Sequence, residues 1–401
     1  MKVPSRALRI LVPEAQAMGS VACIRSLGRA GHHVLATAAD AGAMGFGSRW
    51  CADRRVVPAG LDAEGFRRWL RALIDAERIH LVLPSEGLVT LLGERIGDFA
   101  AHLPTGPEPQ LLERLTSKFE LFSRFVGHAD PALAANLPPT ALAVAGGDWE
   151  ARVEALPAPI FAKFDADPAR GTAARVVRFD DGQEAVARLH GLLAERGRGV
   201  VQGFAPGRGV GVFFLRWGGQ VRAALMHRRL HEVPHTGGVS SLRETWWDEA
   251  LHADALARIH ALDWWGVGML EYRWNDADRS FRLMEFNARF WGSLHLALFA
   301  GVDFPRLLAE AWSGEPWPVG AAPLKAREGV RCRLTFPKEI EYLASLLRDP
   351  RVGAGRKVAA LAEAVALSLD PRVKSDLWYP GDRGLYGRAL AATPGRLLRR
   401  G

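Results

Sequence analysis

The amino-acid sequence predicts a multidomain chain that is α/β at its start and α+β further on, a parallel sheet followed by antiparallel ones. Three observations carry this. Residues 1–105 alternate short apolar runs with helical stripes, the pattern of a parallel sheet with crossover helices. Prolines then crowd at Leu103-Pro104-Thr105-Gly106-Pro107-Glu108-Pro109, which marks a boundary. From Pro159 onward, apolar runs follow one another with turn residues between them, as in an antiparallel sheet. The 401 residues suffice for two or three domains at roughly 100–200 residues each.

Leu8–Val12 reads as the first strand, Gly19–Gly31 as a helix by its Val21, Ile24, Leu27 stripe, and Val34–Thr37 as the next strand, a βαβ opening. Phe66–Ala76 is helical by Phe66, Leu70, Leu73 and Ile74, and His80–Pro84 is a buried-type strand. The loop from Pro13 to Gly19 lacks G-x-G-x-x-G, so no dinucleotide site is predicted there. Beyond the boundary one helix is expected from Gln110 to about Val126. Strands follow at Ile160–Phe164, Ala174–Phe179, Gly199–Phe204, Gly211–Trp217 and Gln220–His227, the last two forming a hairpin through Gly218-Gly219. A helix at Glu249–Leu262, strands at Gly266–Trp274 and Phe281–Phe286, and helices at Leu294–Ala300 and Phe304–Ala311 complete a domain over residues 106–325. Residues 326–401 are expected as a C-terminal helical extension with a basic end, Arg396-Leu397-Leu398-Arg399-Arg400.

Composition excludes several classes. With 48% hydrophobic and 24% charged residues the chain is neither disordered nor collagen-like. Its net charge of +8 is dispersed except at the C-terminal end, and no nucleic-acid motif is present, so no nucleic-acid partner is expected. Cys23, Cys51 and Cys332 are too few and too separated for a disulfide framework, which fits a reducing compartment. The basic start is interrupted by Arg9 and Pro13, a poor signal peptide, and no run reaches the ~18 apolar residues of a membrane span. The cytoplasm is the expected setting. Only seven of the 52 Lys and Arg residues are lysines, so each lysine is informative.

The strongest constellation is Gly268-Met269-Leu270-Glu271-Tyr272-Arg273 followed by Leu283-Met284-Glu285-Phe286-Asn287-Ala288-Arg289. On adjacent strands Glu271 and Glu285 project onto one face, because side chains alternate with period two. Asn287 and Arg289 then share that face if the strand continues. Two carboxylates and an amide oxygen suit Mg²⁺, which takes one or two carboxylates plus substrate phosphates; a guanidinium beside them suits a phosphate. Apolar flanks favour a buried floor over an exposed edge strand, where unpaired carboxylates would be costly without a cation. His227, His231 and His235 are spaced by four, but Pro234 and Gly237-Gly238 break any helix there, which argues against a zinc site. Trp246-Trp247 and Trp264-Trp265 read as core packing before stacking platforms.

The run Glu285-Phe286-Asn287-Ala288-Arg289-Phe290-Trp291-Gly292-Ser293, continuing to Ala300-Gly301-Val302-Asp303-Phe304-Pro305, resembles the ATP-grasp superfamily, in particular its carboligase-like members, relatives of biotin carboxylase and the carbamoyl-phosphate synthetase large chain. The resemblance covers about residues 1–325. It implies a preceding α/β domain and a two-lobed nucleotide clamp, with the small lobe at about residues 130–204. It implies ATP and Mg²⁺ as cofactors, with Mn²⁺ as a substitute, and metal ligands Glu271, Glu285 and Asn287. Lys118 and Lys163 stand where the family places lysines that reach ATP phosphates. The resemblance also puts the adenine hinge at Gln202, Gly203 and Phe204, the phosphate-covering loop at Arg170 and Thr172, and Arg289 with Lys163 in the catalytic role. Arg229 and Ser240 fall on the acceptor side. The sequence departs from the family's pattern at Gly203 and Arg208, where relatives often carry acidic residues, and in a phosphate loop holding a single glycine.

The resulting expectation is an ADP-forming carboxylate–amine ligase working through an acyl phosphate, with small-molecule carboxylate and amine substrates. Two alternatives stay open: a bicarbonate-activating carboxylase-like enzyme, and a non-catalytic ATP-binding module. A homo-oligomer is compatible with all three.

Overall fold

The computed structural model describes residues 7–166, 172–318 and 320–398. The first sheet is parallel: β1 (Arg9–Val12), β2 (His33–Ala38), β3 (Asp53–Val56) and β4 (Leu81–Val82) lie in the order β3-β2-β1-β4. β1 and β2 are apolar and almost wholly buried, as strands covered on both faces must be. Helix Met18–Arg29 buries Val21, Ile24 and Leu27 against this sheet. Helix Ala63–Glu77 starts where the Asp62 carboxylate accepts from the Gly65 amide. Strand order reverses at β1, so the carboxyl ends of β1 and β4 open a crevice of about 580 Å³ lined by Glu14, Glu86 and Arg289.

The single helix expected from Gln110 to Val126 is two, Gln110–Arg114 and Lys118–Phe125. The break has a local cause. Ser117 leaves helical geometry and its hydroxyl accepts from the Glu120 amide, capping the second helix and making Lys118 its first residue.

The small antiparallel sheet comprises β5 (Thr140–Val144), β6 (Ile160–Phe164), β7 (Arg175–Phe179) and β8 (Arg198–Gly203) in the order β5-β8-β6-β7. In β6, Ile160, Ala162 and Phe164 face a core with Phe179, Leu189 and Leu193 from the neighbouring strand and the covering helix Gly182–Arg196. Period-two alternation therefore turns Phe161 and Lys163 to the opposite face.

The large sheet is built from β9 (Arg208–Trp217), β10 (Gln220–Val233), β11 (Val239–Thr245), β12 (Gly266–Trp274), β13 (Phe281–Asn287), β14 (Leu324–Lys325), β15 (Arg331–Arg333) and β16 (Lys374–Ser375). Its order is β13-β12-β9-β10-β11-β15-β16, with β14 beside β10. The β9–β10 hairpin turns at Gly218 and Gly219, at φ +61° and +78°, values that favour glycine. The tryptophans expected in the core pack there: Trp264 is buried edge-on to Phe286, and Trp246 meets Trp274 edge-on at 4.9 Å.

Residues 326–401 hold helices Ile340–Arg348, Ala354–Leu369 and Gly384–Leu398, yet they also supply β15 and β16 to the large sheet. Strands of two or three residues carry too little alternation to be seen in a sequence. The segment is further tied to the first domain through buried charge. The Arg25 guanidinium donates to Asp382 at 2.9 Å and to the Asp376 carbonyl at 2.5 Å, while the Asp376 carboxylate pairs with Arg243. All four side chains lie out of contact with water or nearly so. Among the described residues no helix is long and apolar enough to cross a membrane.

Candidate active site

β12 and β13 pair antiparallel, and Glu271 stands directly opposite Glu285. Asn287 lies two residues further along β13, opposite Met269, and its side-chain nitrogen donates to Glu285 at 2.7 Å. Two carboxylates so placed repel each other, and the fold answers with cations from two other elements. Lys118, at the start of its helix, holds Glu285 at 2.9 Å, and Arg229 of β10 holds Glu271 at 2.5 Å. Arg229 reaches across an intervening strand because Gly209 leaves the space: a Cβ there would lie 2.8 Å from the Arg229 side chain.

The electrostatics follow from these contacts. Burial pushes Glu285 up, but the Lys118 charge and hydrogen bond and the Asn287 amide outweigh it and hold the carboxyl below its ordinary range. Glu271 ends above its ordinary range, since burial and then the Glu285 charge exceed what Arg229 recovers. Lys118 is pulled down by burial, then lifted above its usual value by Glu285, Asp165 and Glu271. Two carboxylates and an amide form the donor set of a hard divalent cation, and Glu271, whose charge Arg229 leaves incompletely compensated, gains from one, so the residues fit Mg²⁺.

Lys163 faces the same cleft from the small lobe. Its ammonium donates to the Gln202 side-chain oxygen at 2.7 Å, and the Gln202 nitrogen donates to Thr140 at 3.1 Å. Burial, reinforced by Lys118 and opposed by Glu285, lowers Lys163 to about 8.

Other expected positions differ. β13 ends at Asn287, so Arg289 does not continue the shared face. Its guanidinium donates to Glu86 of the first domain at 2.6 Å, and its charge still lowers both carboxylates. The Gly203 amide donates to the Pro139 carbonyl at 2.9 Å, because β8 is paired on both sides, so this amide is not open to a base edge. The buried Gln202 side chain orients Lys163 instead. Phe204 is 46% exposed, with its ring 6.5 Å from that of Phe161. Ser240 lies on β11, three strand spacings or about 14 Å from β12, and its hydroxyl donates to the Leu242 carbonyl. It is not brought to the carboxylates. Thr172 begins the chain beyond the phosphate loop, and Arg170 lies outside the described residues.

One residue of the site escaped the sequence reading. Asp165, just after β6, accepts from the Lys118 amide at 2.8 Å, the Phe119 amide at 3.3 Å and the Ser117 hydroxyl at 2.6 Å. It locks the helix that carries one lysine to the strand that carries the other. Its signal was an aspartate two positions after a strand lysine, which means nothing until the helix is known to start opposite it.

The three histidines serve separate ends. His227 is buried between Phe213 and Ser293, His231 stacks on Tyr342 beside Glu339, and His235 meets Asp349 at 3.2 Å. Among the described residues no cluster of three or more His, Cys, Asp or Glu side chains is placed to hold a metal ion.

No family model matches the sequence, and no curated protein matches it in sequence. Solved structures do match it in fold. N5-carboxyaminoimidazole synthetase from Staphylococcus aureus, complexed with ADP, is 13% identical, with 82% of each chain covered and a TM-score of 0.58. L-amino acid ligase from Bacillus licheniformis is 17% identical, covering 79% of this chain and 77% of its own, at 0.56. The biotin carboxylase domain of the Hydrogenobacter thermophilus 2-oxoglutarate carboxylase, a dimer in complex with MgADP, ADP and bicarbonate, is 11% identical, covering 80% of this chain and 72% of its own, at 0.59. These are ATP-grasp enzymes, and the small antiparallel lobe set against a large sheet behind a parallel α/β domain gives this chain the ATP-grasp fold.

Proposed function

We propose that the chain is an ATP-dependent, ADP-forming carboxylate–amine ligase. The observation that carries this reading is the meeting of Lys118 and Lys163 with the Glu271–Glu285 pair, two cations and two carboxylates from different elements on one cleft. In this reading a substrate carboxylate oxygen attacks the γ-phosphorus of ATP, ADP leaves, and an acyl phosphate forms. An amine then attacks the acyl carbon, phosphate departs, and the nitrogen loses a proton. Such catalysis is mostly positioning and charge neutralisation.

Lys118 and Lys163 neutralise non-bridging phosphate oxygens; a phosphate competes with Glu285 for Lys118, so one ion pair replaces another and no lysine is stripped bare. Arg289, from the crevice beside the first domain, steadies the transferring phosphoryl group. Glu271, Glu285 and Asn287 would hold Mg²⁺, which would supply charge neutralisation to the nucleotide's phosphates. The substrates are a small-molecule carboxylate and amine, and the setting is the cytoplasm.

The test supplies MgATP with panels of ¹⁸O-labelled carboxylates and amines and follows label into phosphate. Transfer is expected with one acid. ADP release that depends on bicarbonate alone would replace this reading with a carboxylase-like one, and MgATP binding without ADP release under any acceptor would leave a binding module. Glu285→Gln should lower turnover at least 100-fold, in line with losing one group that stabilises developing charge; near-normal turnover would remove the carboxylate pair from the mechanism.

A further inference from the structure

A second cavity, of about 720 Å³, is lined by Arg229, the residue that holds Glu271 of the carboxylate pair. Its walls are the facing ends of β9, β10 and β12 on one side and helices Ile340–Arg348 and Ala354–Leu369 on the other, so the C-terminal segment closes it. Four guanidinium groups line it, those of Arg208, Arg229, Arg273 and Arg356. Three have protein partners: Arg208 meets Asp276 at 2.6 Å, Arg229 meets Glu271 and Glu232, and Arg356 lies 3.7 Å from Glu363.

Arg273 has none among the described residues, though it is half-buried. Its environment makes this costly. It lines the cavity together with Arg229, and the nearby carboxylate of Glu232 is already engaged by Arg229. A partly dehydrated guanidinium facing another guanidinium is relieved by an anion, which accepts paired hydrogen bonds from the planar fork. Arg273 is also two residues beyond Glu271 on β12, with both residues following a regular register against β9 at Gly209 and Gly211. They share a face, ~7 Å apart along the strand.

We propose that this cavity binds an anionic group, a carboxylate or phosphate, on the organic substrate, with Arg273 as its main contact and Arg356 closing the far wall. The proposal rests on the ligase reading for the identity of the reacting centre. It makes the substrate doubly anionic: one carboxylate is activated beside Glu271 and Glu285, and a second anion is held ~7 Å away along β12. It also gives the C-terminal helices a task, that of selecting acids with a charged tail over acids without one.

The experiment is calorimetric titration of the full chain saturated with the magnesium complex of β,γ-imido-ATP, which fills the phosphate positions of the nucleotide. The probes are glutarate, pentanoate and inorganic phosphate, and the proteins are the native chain, Arg273→Leu, Arg273→Lys and Arg356→Ala. Glutarate and phosphate should bind the native chain, glutarate at least tenfold more tightly than pentanoate. Arg273→Leu should weaken both anions at least tenfold, Arg356→Ala severalfold, and Arg273→Lys should restore most of the affinity, which a merely misfolded site would not allow. Affinity for the nucleotide analogue should change less than twofold throughout. Equal binding of glutarate and pentanoate to the native chain overturns the proposal. So does an Arg273→Leu protein that loses the nucleotide analogue and keeps glutarate, because the arginine then serves the nucleotide. If the analogue does not bind the native chain, the ligase reading fails, and the same titrations on nucleotide-free protein still decide the cavity.

Discussion

Lys163 offers the sharpest handle on the cleft, because its ammonium loses its proton within an accessible range. An ordinary lysine titrates near 10.4, whereas burial and the neighbouring Lys118 charge bring Lys163 to about 8. The difference corresponds to roughly 3 kcal/mol of disfavoured charge. With that value the side chain is ~90% cationic at pH 7 and ~10% cationic at pH 9. If the cation is what holds a phosphate, MgATP affinity falls about tenfold across that interval.

The stability of the nucleotide-free protein moves the other way. Between pH ~8 and ~10.4 the unfolded chain binds the proton that folded Lys163 has released, so this group's contribution to stability rises with pH. Calorimetric MgATP titrations from pH 6.5 to 9.5 at fixed ionic strength measure the first effect, and thermal melts measure the second. In Lys163→Arg the guanidinium stays charged throughout, and the affinity profile should be flat over this range. A native profile without an inflection between pH 7 and 9.5, or one whose inflection persists in Lys163→Arg, refutes the reasoning.

Three other outcomes follow from contacts described above. Gln202→Leu removes the oxygen that accepts from Lys163 and leaves a more apolar surround, so the affinity inflection should shift below pH 8 in the same titration. Asp165→Ala deletes the side chain that accepts from the Lys118 and Phe119 amides. It should cost about 1 kcal/mol of stability, seen as a lower melting temperature, and raise the MgATP Kd, since Lys118 then starts a frayed helix. Asp376→Ala leaves Arg243 buried with its charge unanswered and should cost about 3–5 kcal/mol in thermal or denaturant unfolding; a loss under ~1 kcal/mol would show that water or another group reaches Arg243.

Much of the fold was legible because the strands that matter are long enough to show their period. Leu270 to Trp274 and Met284 to Asn287 alternate polar and apolar residues, and the pairing of Glu271 with Glu285 follows once those strands are neighbours. The scarcity of lysine did similar service for Lys118 and Lys163. What was hidden depends on contacts between distant parts of the chain. The break at Ser117 is a capping event settled by Asp165, 48 residues away. Arg289 was placed beside the carboxylates on the assumption that β13 continues, whereas the strand stops and Glu86 takes the guanidinium. Gly203 was read as an open hinge, but the neighbouring strand uses its amide. Residues 331–333 and 374–375 form strands only because the large sheet offers an edge for them to join.

The buried pair of Arg25 and Asp382 spans 357 residues of sequence. At 5–20 residues per second, a ribosome takes roughly 20–70 seconds to travel from one to the other. The first domain therefore emerges with a buried-type arginine whose counter-charge does not yet exist, and it waits in that state while the 357 residues up to Asp382 are made. Its final docking therefore follows the completion of residues 376–382, which supply every oxygen that accepts from the Arg25 guanidinium among the described residues.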